Sequence, residues 1–244
     1  MSHAIRIAMW SGPRNISTAM MRSFGARDDC AVSDEPFYGA FLKDSREPHP
    51  MADEVIAAMD CDWRSVTETQ SGPVPGGKWL WYQKHMPHHM VGPVTIADFP
   101  RHRHAFLIRT PERVVASYRN KNELRTPDML GFARLRSYFE QEAERIGRAP
   151  PVIDSDDILR DPARMLESLC TALDIGWDPA MLAWKKGPHP EDGLWGAHWY
   201  DKVNASTGFG SPPGPLPELD GDYRAVADAC RADYEAMKQY ALRL

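Results

Sequence analysis

Five short apolar runs punctuate the chain, at residues 4–10, 30–34, 78–83, 104–109 and 150–154, and each has the length of a buried strand. Helical periodicity fills the intervals. Met20, Met21 and Phe24 fall on one helical face, Val114, Val115 and Tyr118 on another, and Leu130, Ala133, Leu135 and Phe139 are compatible with a third. In "RDPARMLESLCTALDI", Asp161 is placed to cap a helix that opens with Pro162 and carries the stripe Met165, Leu166, Leu169, Cys170 and Leu173. A last helix, over about residues 223–240, presents Val226, Ala227, Cys230, Tyr234 and Met237 at the same spacing. Strand–helix alternation predicts right-handed crossovers and an α/β fold: a three-layer α/β/α arrangement with a mainly parallel central sheet of about five strands. Ligands of such sheets bind at the carboxyl ends of the strands. Two Gly/Pro-rich stretches interrupt the pattern, at 69–78 and 205–221, and the second is long enough to be functional or mobile. Repeats and internal boundaries are absent from the sequence, so residues 1–244 are expected to form a single domain.

Bulk composition narrows the function classes. A chain of 244 residues with 43% hydrophobic positions can bury a sizeable core. Its formal net charge of -5 argues against a general nucleic-acid binder, which needs a basic surface, while leaving room for a small basic pocket. Cys30, Cys61, Cys170 and Cys230 lack metal-type spacing and read as isolated thiols of a reducing compartment. The N-terminus lacks a signal-peptide pattern and no stretch has the length of a membrane span, so a cytoplasmic protein with no membrane partner is expected.

The candidate chemistry sits after the strands. In "IAMWSGPRNISTAMMRS", Gly12 and Pro13 allow a sharp turn, Arg14 and Asn15 offer side-chain donors, and Ser17 and Thr18 place hydroxyls where a helix begins. Free amides and the positive end of the helix dipole make such a turn an anion site, although the same residues also satisfy a plain strand–turn–helix with a Ser N-cap. The loop lacks the Lys-Ser/Thr ending that holds Mg-ATP, and Ile16 stands where such loops often carry glycine. "FLIRTPERVVASYRN" repeats the logic: Arg109 closes a strand and Ser117 lies eight residues on, with Arg113 one helical turn before it. Two arginine-plus-hydroxyl sites at neighbouring strand ends suit a ligand with two phosphate-like groups.

On these residues the sequence resembles the sulfotransferase family, whose donor is 3′-phosphoadenosine 5′-phosphosulfate. "SGPRNIST" resembles the family's 5′-phosphosulfate loop in its bacterial form, "IRTPERVVASY" its 3′-phosphate motif, and "VIDSDDILRDPARMLESLCTALDI" its later strand, acidic loop and helix. The resemblance implies a P-loop nucleoside-triphosphate-hydrolase-like fold and transfer of a sulfuryl group to a hydroxyl or amine of a small-molecule acceptor. It implies that Gly12, Pro13, Arg14, Asn15, Ile16, Ser17 and Thr18 hold the 5′-phosphosulfate, Arg109 and Ser117 the 3′-phosphate, and that no metal is needed. Arg14 would stabilise charge on the leaving group of an in-line transfer. The segment from Lys185 is loosely similar to the stretch that covers the 3′-phosphate, with Lys185, Lys186 and Lys202 as contacts.

Transfer also needs a general base. Glu35 follows the second strand, where the bacterial carbohydrate branch of the family has a basic carboxylate; a loop acid paired with an arginine, Arg14 itself among the candidates, is the alternative. His85, in "YQKHMPHH", resembles the catalytic His of cytosolic sulfotransferases, with Lys84 as a second positive charge, although a loop His can equally be exposed. His85, His88 and His89 have no Cys or carboxylate partner set in the sequence that would complete a metal site. Two other readings remain open: a kinase using ATP, and a non-catalytic nucleotide-binding protein, which Ile16 favours. No motif specifies the acceptor or an oligomeric state; the segments expected to recognise the acceptor are loops near 36–77 and 188–221.

Overall fold

The computed structural model describes residues 4–121, 123–124 and 126–243. In chain order the elements are β1 (Ile5–Ser11), α1 (Ser17–Gly25), β2 (Cys30–Asp34), α2 (Tyr38–Ser45), α3 (Ala52–Ala58), α4 (Trp63–Ser71), β3 (Leu80–His85), β4 (Arg103–Ile108), α5 (Pro111–Tyr118), α6 (Phe132–Ile146), β5 (Val152–Asp154), α7 (Ser155–Arg160), α8 (Pro162–Ala172), α9 (Gly196–Trp199), α10 (Asp201–Asn204) and α11 (Gly221–Lys238). The five strands form one sheet in the order β2-β3-β1-β4-β5, and every pairing between them is parallel.

Residue alternation along the strands divides the core in two. Ile7 and Met9 of β1, Leu80 and Tyr82 of β3, and Ala105 and Leu107 of β4 face the layer containing α1 and α8, where Met20, Phe24, Met165, Leu166 and Leu169 close the core. Ala8, Trp10, Phe106 and Ile108 face the layer of α5, α6 and α11, against Val114, Leu135, Phe139 and Met237. The predicted stripes are buried except for Ala133, which is exposed, and Val226, which is half-buried, and Asp161 caps α8 by accepting from the Arg164 amide at 3.1 Å.

Element ends shift by one or two residues from expectation, and two departures bear on the site. β3 runs to His85, two residues beyond its predicted end, because "KH" continues the pleat. Residues 36–77, expected to be loops, contain three helices, each of seven to nine residues. Their apolar stripes are too short to read as periodicity: α3 buries Val55 alone. Caps and packing stabilise them instead. Asp62 caps α4 through the Arg64 and Ser65 amides, at 3.0 and 2.8 Å. Tyr38, Phe41, Leu42 and Val55 pack with Trp195 and Tyr200 in a third small core.

The strand order fixes where a ligand can sit. The connection leaving β1 leads toward β3 and β2, while the one leaving β4 leads toward β5. The crevice between the carboxyl ends of β1 and β4 is therefore the topological switch point of the sheet. Gly12–Ser17 leave one side of it and Arg109 the other.

Candidate functional site

Backbone conformation shapes the loop after β1. Arg14 and Ile16 both take the left-handed region, at φ 59 and φ 47, while Asn15 between them keeps a negative φ. Backbone that alternates in this way is the pattern from which anion-binding nests are made. Ile16 occupies the position before α1, and the first loop-to-helix bond runs from the Met20 amide to its carbonyl at 3.0 Å. Ser17 is thus the first residue of α1 rather than its cap, and the N-cap side chain makes no hydrogen bond to the first amides of this helix. Left-handed non-glycine residues cost about 1–3 kcal/mol each and persist only where their surroundings hold them. Here Asn15 Nδ2 donates to the Leu107 carbonyl at 2.7 Å, Arg109 Nη1 donates to the Arg14 carbonyl at 2.7 Å, and Ile16 packs on the core beneath α1. Gly12 is required by close approach: a Cβ there would lie 2.6 Å from the Leu130 carbonyl oxygen.

The second arginine site meets the first. Arg14 Nε donates to Ser117 Oγ at 3.1 Å, which brings the helix after β4 against the loop after β1. Arg109 Nε is buried with no hydrogen-bond partner among the described residues, and burial lowers the pKa of both Arg14 and Arg109. Among the described residues neither guanidinium forms an ion pair, although Asp156 and Asp154 lie near enough to favour the Arg109 charge, and two such partly desolvated cations favour a polyanionic ligand. Arg113 does not share in this. Its Nε pairs with Asp156 at 2.9 Å, and its outer nitrogens hold the Gly214 and Pro215 carbonyls of the Gly/Pro-rich stretch.

An acidic turn after β2 carries the third component. Glu35 is also left-handed, at φ 43, and does not pair with Arg14. Its partner is Lys84, whose three Nζ hydrogens are shared among four acceptors: Glu35 Oε1 at 2.6 Å, Tyr200 OH at 2.7 Å, Asp34 Oδ1 at 2.9 Å and, farthest, Thr18 Oγ1 at 3.2 Å. Lys84 therefore joins the acidic turn to α1. Burial opposes its charge, but Asp34, Glu35 and Tyr200 outweigh burial and hold its pKa well above the ordinary lysine value. Burial raises the Glu35 pKa, with Lys84 opposing and Asp34 adding to the rise. A buried carboxyl so poised can accept a proton.

Strand parity separates His85 from this group. Lys84 points to the α1 face of the sheet and His85 to the opposite one, stacked on Trp10 at 4.6 Å between ring centroids and within 3.2 Å of Gln83 Oε1. Burial drives its pKa well below the ordinary histidine value, with His102 and His104 adding to the effect. The expectation of a loop histidine beside the transfer site rested on β3 ending at residue 83, and the two further strand residues turn His85 into core. His89 lies nearer, with Nδ1 3.8 Å from Glu35 Oε2. Among the described residues, no group of three His, Cys, Asp or Glu is placed to hold a metal ion. Lys185, Lys186 and Lys202 are exposed. The segment between them reaches the acidic turn instead: Asp192 pairs with buried Arg22 at 2.6 Å, the Gly193 amide donates to Asp34 at 3.2 Å, and Tyr200 OH donates to Asp34 at 2.6 Å. Sequence reasoning missed Asp34 and Tyr200, for which no local signal exists.

A cleft of about 570 Å³ has walls that adjoin the site's residues in sequence without including them. Tyr118, which follows Ser117, and Met129, next to the Leu130 carbonyl that backs Gly12, form one side; Phe41, His49, His88 and Arg134 line the remainder. Burial holds the His88 pKa down at about 3, with His49 and Arg134 adding to the effect, so the cleft presents a neutral imidazole.

Comparison with known proteins agrees with this geometry. The family described as "Sulfotransferase domain" matches residues 5–241. A sulfotransferase from Alicyclobacillus acidocaldarius shares the fold, with a TM-score of 0.59 and 13% identity over 98% of this chain and 97% of that one. Mouse sulfotransferase SULT7A1, solved in complex with PAP, gives a TM-score of 0.56 and 12% identity over 99% and 90% of the respective chains. Two Arabidopsis thaliana proteins, branched-chain-amino-acid aminotransferase-like proteins 2 and 1, are each 38% identical over 84% of this chain. The chain spans about a third of their length, 36% and 37%. A match running almost from end to end, on a parallel sheet whose switch point carries the arginine loop, leaves one conclusion: the chain belongs to the sulfotransferase domain family.

Proposed function

We propose that the chain, acting as one domain in the cytoplasm, transfers the sulfuryl group of 3′-phosphoadenosine 5′-phosphosulfate to a hydroxyl or amine of a small-molecule acceptor, without a metal. The observation that carries this reading is the meeting of two anion sites, with Arg14 bonded to Ser117 and Arg109 to the Arg14 carbonyl. A donor with phosphate groups at both ends of its ribose needs such a pair. The nest at Arg14–Ile16, the opening amides of α1 and the hydroxyls of Ser17 and Thr18 take the 5′-phosphosulfate, and Arg109 with Ser117 takes the 3′-phosphate.

The acceptor enters by the cleft beside Tyr118. Its hydroxyl oxygen or amine nitrogen attacks sulfur as the bond from sulfur to the phosphate oxygen breaks. Arg14 stabilises the charge that collects on that leaving oxygen, and Lys84 adds a second positive charge through its contact with Thr18. The acceptor proton passes to Glu35, whose raised pKa suits it to the task. His85 has no part in this scheme, because it stacks in the core on the other face of the sheet.

The test is release of 3′-phosphoadenosine 5′-phosphate from the donor in the presence of a panel of hydroxyl and amine acceptors, without and with Mg²⁺. Acceptor-dependent release that ignores chelator supports the reading. Phosphate transfer from Mg-ATP, or donor binding with no release across the panel, contradicts it.

A further inference from the structure

The acidic turn and Lys84 are completed by a residue far from both in sequence. Tyr200 is buried between α9 and α10, and its hydroxyl is engaged from three sides. It donates to Asp34 Oδ2 at 2.6 Å and accepts from Lys84 Nζ at 2.7 Å and from Trp195 Nε1 at 3.1 Å. The segment that carries it is fastened independently of that hydroxyl, by the buried Arg22–Asp192 pair at one end and at the other by Lys121, which bonds the His198 carbonyl and Asp201, each at 2.8 Å.

We propose that Tyr200 is a positioning residue for the transfer: with Asp34 it holds Lys84 Nζ between Thr18 and Glu35, and so sets both where the lysine charge falls and how readily Glu35 takes a proton. The proposal deepens the reading of Glu35 as base and rests on it.

The charges around Glu35 argue for this. Lys84 and His89 approach from β3 and the turn after it, Asp34 from β2, Tyr38 from α2 and Tyr200 from the α9–α10 segment. Burial keeps His89 neutral, so Lys84 is the cation in the group and serves two carboxylates. The Tyr200 proton on Asp34 offsets part of Asp34's claim on Lys84, leaving the lysine free to bond Glu35 at 2.6 Å. Without that hydroxyl, Lys84 moves toward Asp34 and the Asp34 charge is less compensated, and both changes raise the proton affinity of Glu35. Neutralising Asp34 does the opposite, because it removes a like charge and gives Lys84 wholly to Glu35.

Two substitutions therefore push Glu35 in opposite directions, which a merely structural role would not produce. The protein alone is titrated by carbon-13 NMR of its side-chain carboxyls, with Glu35 identified by its loss in Glu35→Gln. In Tyr200→Phe, which keeps the ring, Glu35 titrates about one pH unit higher, and in Asp34→Asn it titrates about one unit lower. Affinity for 3′-phosphoadenosine 5′-phosphate stays within about threefold in both, since Asn15 and Arg109 still hold the loop. Unmoved titration in Tyr200→Phe, or movement of both variants in one direction, overturns the role of Tyr200. Failure of Glu35 as base shows separately, as Glu35→Gln protein that releases the product nucleotide at the wild-type rate.

Discussion

Arg14 donates from Nε to the Ser117 hydroxyl at 3.1 Å, across 103 positions of sequence. The bond joins the two motifs proposed as anion sites, and among the described residues the outer nitrogens of Arg14 have no hydrogen-bond partner. Ser117→Ala removes the acceptor that orients this guanidinium. Affinity for 3′-phosphoadenosine 5′-phosphate is expected to fall about tenfold, the worth of one hydrogen bond to a charged group. Calorimetry on the variant checks this, and a melting temperature near wild type separates it from unfolding.

Gly12 abuts the Leu130 carbonyl with no room for a methyl group. The obstacle is backbone, which cannot rotate away, so Gly12→Ala displaces either the loop or the turn before α6. A destabilisation of about 1–3 kcal/mol is expected, with weakened nucleotide binding beyond what the stability loss explains. Denaturant melts with and without nucleotide measure both effects.

Ile16 is the residue whose identity argues most against catalysis, yet its backbone takes the left-handed conformation a glycine would supply. Ile16→Gly relieves about 1–2 kcal/mol of left-handed strain. It also loses the packing of a side chain on the core beneath α1 and adds chain entropy to the unfolded state. Stability within about 1 kcal/mol of wild type and unchanged turnover are expected, because these contributions oppose one another. A large change in turnover at constant affinity would show that the isoleucine side chain takes part in the transfer.

Glu35 and His85 give opposite pH signatures. The Glu35 pKa is raised, so the base form is populated only above the ordinary carboxylate range, and turnover rises with pH through that raised value. Glu35→Gln abolishes this limb and lowers turnover by about 10²–10⁴, with nucleotide affinity retained. His85 is neutral and stacked on Trp10, so His85→Leu keeps the limb and alters turnover per folded molecule by less than about threefold. The pH–rate profiles of the two variants decide between them.

The strands and long helices were legible because each carries an apolar run or stripe long enough to show its period; the parallel sheet followed from their alternation. That Arg14, Arg109 and Ser117 come together was legible because they sit at fixed offsets from strand ends. The placement of His85 was not legible, because a strand that runs two residues farther puts it in the pleat, facing the core, instead of in a loop. The helices α2, α3 and α4 escaped notice because tertiary contacts and, for α4, the Asp62 cap define them rather than periodicity. Tyr200 could not be found at all, since it meets Lys84 only through a contact spanning 116 positions.

The pairing of the two anion sites is tested most directly by calorimetry with 3′-phosphoadenosine 5′-phosphate beside adenosine 5′-monophosphate, on wild type and on Arg109→Ala. The expected result is a preference of about ten- to a hundredfold for the bisphosphate in wild type, lost in Arg109→Ala, which also frees the Arg14 carbonyl. Equal affinity for the two nucleotides in the wild-type protein would contradict the assignment of Arg109 and Ser117 to a 3′-phosphate, and with it the donor.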